Sequence, residues 1–255
     1  MKVGLISDVH LEMYEDAGKV PVLEVPDDLD LMIFAGDIAV GADGLEWIAQ
    51  CGVRSLYVLG NHEFYHGEYF EVLERVRLMA KDYDNITVLE GEYVDIDGVR
   101  FLGGVTWTDF NLNGAKDTDS YFATKMMSDF RVIRFKRDDT TKKLRPEDTM
   151  ELHRQQREFL SKNTSDTLTN VVISHHLPSK RSVPPRFTSS MLNPAFASDL
   201  ESVMRLKDVS FWFHGHSHDG VNYQVGKCNV ASNPIGYFNI EQGDLVIRPK
   251  VFDIS

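Results

Sequence analysis

Three histidines in five residues, His214, His216 and His218, surround Gly215 at the end of the apolar run "VSFWFH". Imidazoles crowded in this way bind transition metals or move protons, because each offers a neutral nitrogen lone pair and titrates near pH 7. The same residue types close or follow four other apolar runs. "LISDVH" delivers Asp8 and His10, and "LMIFAGDIAV" delivers Asp37. "YVLGNHEFYH" supplies Asn61, His62, Glu63 and His66, and "VVISHHLPS" supplies His175 and His176. Eight of the nine histidines sit at such ends, and only His153, inside a predicted helix, does not. Unrelated structural histidines would not be distributed in this way.

The elements that must position these residues follow from hydrophobic patterning. The runs Val3 to Ile6, Leu31 to Ala35, Leu56 to Leu59, Val171 to Ser174 and Phe211 to Phe213 are continuously apolar, as in strands buried on both faces. Helical spacing is found over Gly44 to Gln50, Tyr69 to Lys81, Pro146 to Leu160 and Pro194 to Leu206. "EYVDIDGVRFLGG" reads as a hairpin turning at Asp97-Gly98. Further strand-like pieces between Val221 and Phe252 suggest a second sheet packed on the first. The alternation predicts an α/β fold, in which ligands bind beyond the carboxyl ends of the strands, so residues 210 positions apart can converge on one crevice.

Composition narrows the function. Of the 255 residues, 42% are hydrophobic and 26% charged, the balance of a globular chain, and the net charge of −12 disfavours general nucleic-acid binding. The one basic stretch, "RVIRFKRDDTTKKLR" at 131–145, reads either as a solvated surface element or as a rim that draws in anions. Cys51 and Cys228 form no CxxC pattern, and no stretch of about 20 apolar residues or leader-like segment occurs, so a cytoplasmic, reducing setting with no membrane association is expected.

Each motif alone is weak. The ordered series Asp8-x-His10, Gly36-Asp37, Gly60-Asn61-His62-Glu63, His175 and Gly215-His216-Ser217-His218 resembles the calcineurin-like metallophosphoesterase superfamily, in a bacterial-type branch, from residue 3 to about 240. That resemblance implies a four-layer sandwich of two mixed sheets flanked by helices, with a dinuclear site at the strand ends. The chain would form a single domain over 1–255, with about 105–165 as a cap or rim insertion. One metal would be held by Asp8, His10, Asp37 and His218, the other by Asp37, Asn61, His175 and His216, with Asp37 bridging. Carboxylate, amide and imidazole donors suit manganese first, then iron, zinc or nickel, better than calcium or magnesium. The implied reaction is hydrolysis of phosphomonoesters or phosphodiesters, small molecules or nucleotides, by a metal-bridging hydroxide, with His62 as general acid.

The series departs from the protein serine/threonine phosphatase pattern. There an aspartate three residues after the bridging aspartate orients the catalytic histidine, whereas Val40 stands here. Glu63 or Asp43 would have to take that role, or His62 would act as a weaker acid. Gly215 would let its loop turn tightly, and His214 would be structural. Tyr65, His66, Trp107, Asp109, His176 and Asn233 could frame the substrate, and Lys180, Arg181 and Arg186 could meet its outer phosphate groups. Two alternatives remain open: a nuclease with the same centre, and an inactive scaffold of the same fold.

Overall fold

The computed structural model describes residues 1–254. In chain order the strands of the first half are β1 (Lys2–Ile6), β2 (Val22–Leu23), β3 (Leu31–Ala35), β4 (Ser55–Val58), β5 (Ile86–Val88), β6 (Glu92–Ile96) and β7 (Val99–Gly104). A peripheral hairpin, β8 (Arg134–Arg137) and β9 (Thr140–Lys143), precedes β10 (Thr169–Ser174), β11 (Val209–His214), β12 (Asn222–Val225), β13 (Cys228–Ser232), β14 (Val246–Ile247) and β15 (Lys250–Asp253). The helices are α1 (Leu11–Asp16), α2 (Leu45–Ala49), α3 (Tyr69–Ala80), α4 (Lys116–Met126), α5 (Asp129–Val132), α6 (Pro146–Asn163), α7 (Asn193–Phe196) and α8 (Glu201–Leu206).

Two mixed sheets result. The first runs β15-β1-β3-β4-β5 and the second β12-β13-β11-β10-β7-β6. Inner strands pair in parallel, and the antiparallel partners, β15, β6 and β12, lie at the edges. Successive side chains point to opposite faces of a strand, so the continuously apolar runs fill two layers at once. Val3, Leu5, Leu31, Ile33 and Leu56 meet Phe101, Val171, Ile173 and Phe213 between the sheets. Their neighbours Ile6, Met32, Phe34 and Tyr57 pack outward beneath α1, α2 and α3. On the far side Leu102, Val172, Trp212 and Val230 pack beneath α6 and α8. This is the expected four-layer α/β sandwich.

Two expectations differ in detail. The C-terminal strands do not build a sheet of their own: β12 and β13 extend the second sheet, β15 closes the first, and β14 pairs with β2. Nor is 194–206 one helix. Ala197 is extended and bridges to Leu177, with Leu177 N–H donating to Phe196 O and Ser198 N–H to Leu177 O, which separates α7 from α8. The hairpin does turn at Asp97 and Gly98, both at positive φ (47° and 83°), as a two-residue turn with right-handed strand twist requires.

Candidate metal centre

The loops leaving β1, β3, β4, β10 and β11 meet above the paired sheets and are stitched together through their backbones. Asp8 N–H donates to Gly36 O, His10 N–H to Asp37 O and Gly215 N–H to His175 O (2.9, 3.1 and 3.1 Å). Asp8, His10, Asp37, His216 and His218 all have positive φ, between 43° and 71°. Left-handed backbone at non-glycine residues is uncommon and gathers where side chains must be aimed. Gly215 does not share that conformation. It is glycine because a Cβ would stand 2.6 Å from Asp8 Oδ2 and 2.8 Å from Ala35 O, so the expected turn-former is a close-approach position. Gly60 is likewise forced, its Cβ position lying 2.1 Å from Asp37 Oδ1.

Two clusters share Asp37. On one side His10 Nε2 and His218 Nε2 are 3.0 Å apart, His218 Nε2 is 3.6 Å from Asp8 Oδ1, and His10 Nε2 is 3.9 Å from Asp37 Oδ2. On the other, His175 Nε2 lies 3.3 Å from Asp37 Oδ2, 3.1 Å from Asn61 Oδ1 and 3.2 Å from His216 Nδ1. All seven expected residues converge, but not in two clean sets: Asp8, His10 and His218 form one group, Asp37, His175 and His216 another beside Asn61, and Asp37 also groups with His10 and His62.

The ring nitrogens test whether cations fit. His175 Nδ1–H donates to Ala35 O (2.9 Å), His10 Nδ1 lies 3.3 Å from Glu12 Oε1, and His218 Nδ1 lies 2.5 Å from Glu241 Oε2. Protonation on those atoms leaves the His10 and His218 Nε2 atoms facing each other at 3.0 Å, and turns His175 Nε2 towards Asp37 and Asn61. A cation between such nitrogens and the nearby carboxylates satisfies them together, and outer hydrogen bonds of this kind fix the tautomer of metal-binding histidines. Asp8 accepts from His216 N through both oxygens (2.8 and 3.0 Å), and Asp37 accepts from His62 N through one (2.8 Å). The residues present fit divalent ions with mixed N and O donors.

Charge coupling is strong. Burial would raise the Asp37 pKa, but His175, His62 and His10 hold it well below the usual carboxylate range. Burial opposes charging of His175 too, yet Asp37 and Asp8 raise it to about 10. His176 and His214 are driven down by burial, to about 3 and about 4, and are neutral.

His62 stands at the mouth, stacked on Tyr65 (centroids 4.1 Å apart, 24° between planes). Neither Glu63 nor Asp43 orients it. Glu63 turns back into the protein and accepts from Asp37 N, Ile38 N, Gly60 N and Tyr57 Oη (3.0, 2.8, 2.6 and 2.7 Å), while Asp43 is exposed. Glu12 does it instead: its Oε1 accepts from His62 Nδ1 at 3.1 Å while also reaching His10. The Tyr237 hydroxyl lies 3.4 Å from His62 Nε2. Burial lowers the His62 pKa, but Asp37 and Glu12 outweigh it and bring it to about 9.

Of the remaining sequence candidates, Tyr65 lines the cavity and Arg186 reaches its wall, with its guanidinium on Asp219 (2.5 Å). His214 is tied to Ser182 Oγ and Gly215 O, Trp107 packs on Phe64 and His176, and His176 backs His216. Asn233 donates to Leu5 O, Asp109 accepts from Ser198 and Asn111, and Arg181 donates to Gln224 O. His66 and Lys180 are exposed and away from the cavity, as is the basic hairpin of 131–145, where Arg137 pairs with Asp148. These residues hold the loops or face solvent. Glu12, Tyr237, Glu241 and Asp129 were not legible as site residues, although Glu12 extends the first motif to D-x-H-x-E.

Two facing sheets whose loop ends gather aspartate, asparagine and histidine around a shared carboxylate define a metal-dependent hydrolase site. A family model of calcineurin-like phosphoesterases matches residues 1–220, and the chain belongs to that family of metal-dependent phosphoesterases. It is 22% identical over 258 residues to "Uncharacterized protein L509" of Acanthamoeba polyphaga mimivirus, covering 91% of this chain and 90% of the relative. Among solved structures it is similar to phosphopantetheinyl hydrolase (PptH) from Mycobacterium tuberculosis, with a TM-score of 0.73, 16% identity, and 92% and 89% of the two chains covered. At that identity the likeness is one of fold. No helix among the described residues is long and apolar enough to cross a membrane.

Proposed function

We propose that the chain hydrolyses phosphomonoesters or phosphodiesters at a dinuclear centre. The observation that carries this reading is that Asp37 groups with His175 and His216 on one side and with His10 on the other, while His10 in turn groups with Asp8 and His218. Asp37 would bridge the two ions. Bound there, manganese or another divalent transition metal would polarise the phosphoryl oxygens and lower the pKa of an attacking water.

The chain's own residues supply the remainder. Glu12 keeps the Nδ1 proton of His62 in place, so the second proton of the imidazolium sits on Nε2 and faces the cavity that His62 lines. When the ester P–O bond breaks, that proton passes to the leaving oxygen. Tyr65, stacked on the ring, and Tyr237, at its Nε2, restrict its rotation. Glu63 holds the Asp37 and Gly60 backbones in register, which fixes the carboxylate shared by the two groups. Segment 105–165 acts as a rim, with Met126 to Asp129 forming one wall of the cavity.

The nuclease alternative loses support, because the basic hairpin does not line the cavity. The complete set of converging donors speaks against an inactive scaffold. The test is activity of metal-stripped protein reloaded with manganese, iron, zinc or nickel against matched mono- and diesters. Activity that depends on the added ion is expected, and its absence with every ion would overturn the proposal.

A further inference from the structure

Resting on that reading, we infer that the substrate's organic group is an uncharged, extended and largely apolar chain rather than one carrying a second phosphate. The cavity above Asp37, Asn61 and His216 has a volume of about 380 Å³, and its outer wall is formed by Met126, Leu177, Val183, Phe187, Leu192 and Phe196. Met126 and Phe187 remain 56% and 44% exposed at the rim, so the apolar surface continues from the ligand cluster out to solvent.

Ser128, Ser190, Asn193 and Ser217 add neutral polar groups to the lining, but the charged groups of the wall do not suit an anionic tail. Apart from the His62 imidazolium beside the ligand cluster, Arg186 is the only cation lining it among the described residues, and its Nε and Nη2 both donate to Asp219 Oδ2 (3.1 and 2.5 Å). Glu241 and Asp129 add carboxylates, and Asp129, 2% exposed, has an oxygen with no hydrogen-bond partner. Beyond the cation site the wall thus offers little to attract a second anion. A pocket lined mainly by apolar side chains takes its affinity from buried hydrocarbon, and each methylene fully withdrawn from water strengthens binding about fourfold.

The test is calorimetric titration of zinc-loaded protein with methylphosphonate, octylphosphonate and thymidine 5′-monophosphate, with turnover of bis(p-nitrophenyl) phosphate measured in parallel. Octylphosphonate is expected to bind roughly tenfold or more tighter than the other two, and Phe187→Asp, at an exposed position, to remove most of that advantage while the thermal melt stays unchanged. Equal affinities, or tighter binding of the nucleotide, would overturn this inference even if the diester is hydrolysed. Chain-length selectivity with no turnover of bis(p-nitrophenyl) phosphate or p-nitrophenyl phosphate by the manganese, iron, zinc or nickel form would instead sink the phosphoesterase reading and leave the pocket assignment standing.

Discussion

Glu12→Gln is the sharpest probe of the site, because glutamine keeps the size of the side chain and removes its charge. Glu12 Oε1 accepts from His62 Nδ1 at 3.1 Å, and a hydrogen bond to a charged partner contributes about 1.5–3 kcal/mol. If that energy holds the imidazolium in its proton-donating pose, kcat/KM falls roughly 10- to 150-fold for an alkyl ester, whose alkoxide cannot leave without a proton. A p-nitrophenyl ester leaves as a stable phenolate and should lose less than about threefold. The pH profile provides a second readout. His62 must be protonated to act, so its contribution is present below its pKa and lost as pH rises through it; that pKa is raised to about 9 by Asp37 and Glu12 against burial. Cations beside Asp37 cancel part of its share, while the share of Glu12 persists. The variant's alkaline limb should therefore move to lower pH by about one unit, the equivalent of 1.4 kcal/mol. Glu12 also reaches His10, so metal content is measured alongside. Equal losses on both esters at unchanged metal content would refute the orienting role.

Three further outcomes follow. Glu63→Ala strands three backbone N–H groups and the Tyr57 hydroxyl in a buried site, so stability should fall by about 3–5 kcal/mol and Tm by about 6–15 °C in a thermal melt; a change below about 1 kcal/mol would contradict the network. Gly215→Ala drives a methyl group into Asp8 and should lower metal content from two ions towards one by elemental analysis, whereas full occupancy would show that the close approach is dispensable. In the metal-free chain His175 is raised to about 10 and carries a proton at neutral pH, which a cation must displace. Metal binding should therefore release at least one proton near pH 7, seen as a dependence of calorimetric heat on buffer ionisation enthalpy. Binding without proton release would contradict this coupling.

What the sequence revealed and what it concealed have separate physical causes. Each site strand is a run of apolar residues ending in Asp, Asn or His, so hydrophobic pattern and chemistry coincide, and Asp8, Asp37, Asn61 and His175 stand out without a structure. Glu12, Glu241 and Tyr237 carry no such mark, because their roles exist only once separate loops pack together. Adjacency along the chain misled for Glu63: the tight His62–Phe64 turn sends it inward, away from its neighbour's ring. Helical spacing likewise continued through Ala197, where pairing with Leu177 overrides local preference.

Two cations sharing Asp37 are the centre of the proposed chemistry. Anomalous diffraction from manganese-soaked crystals measures this directly: two peaks about 3.5–4 Å apart, one against Asp8, His10 and His218 and the other against Asn61, His175 and His216, with an Asp37 oxygen between them. A single peak, or ions held apart on different loops with Asp37 unligated, would contradict it.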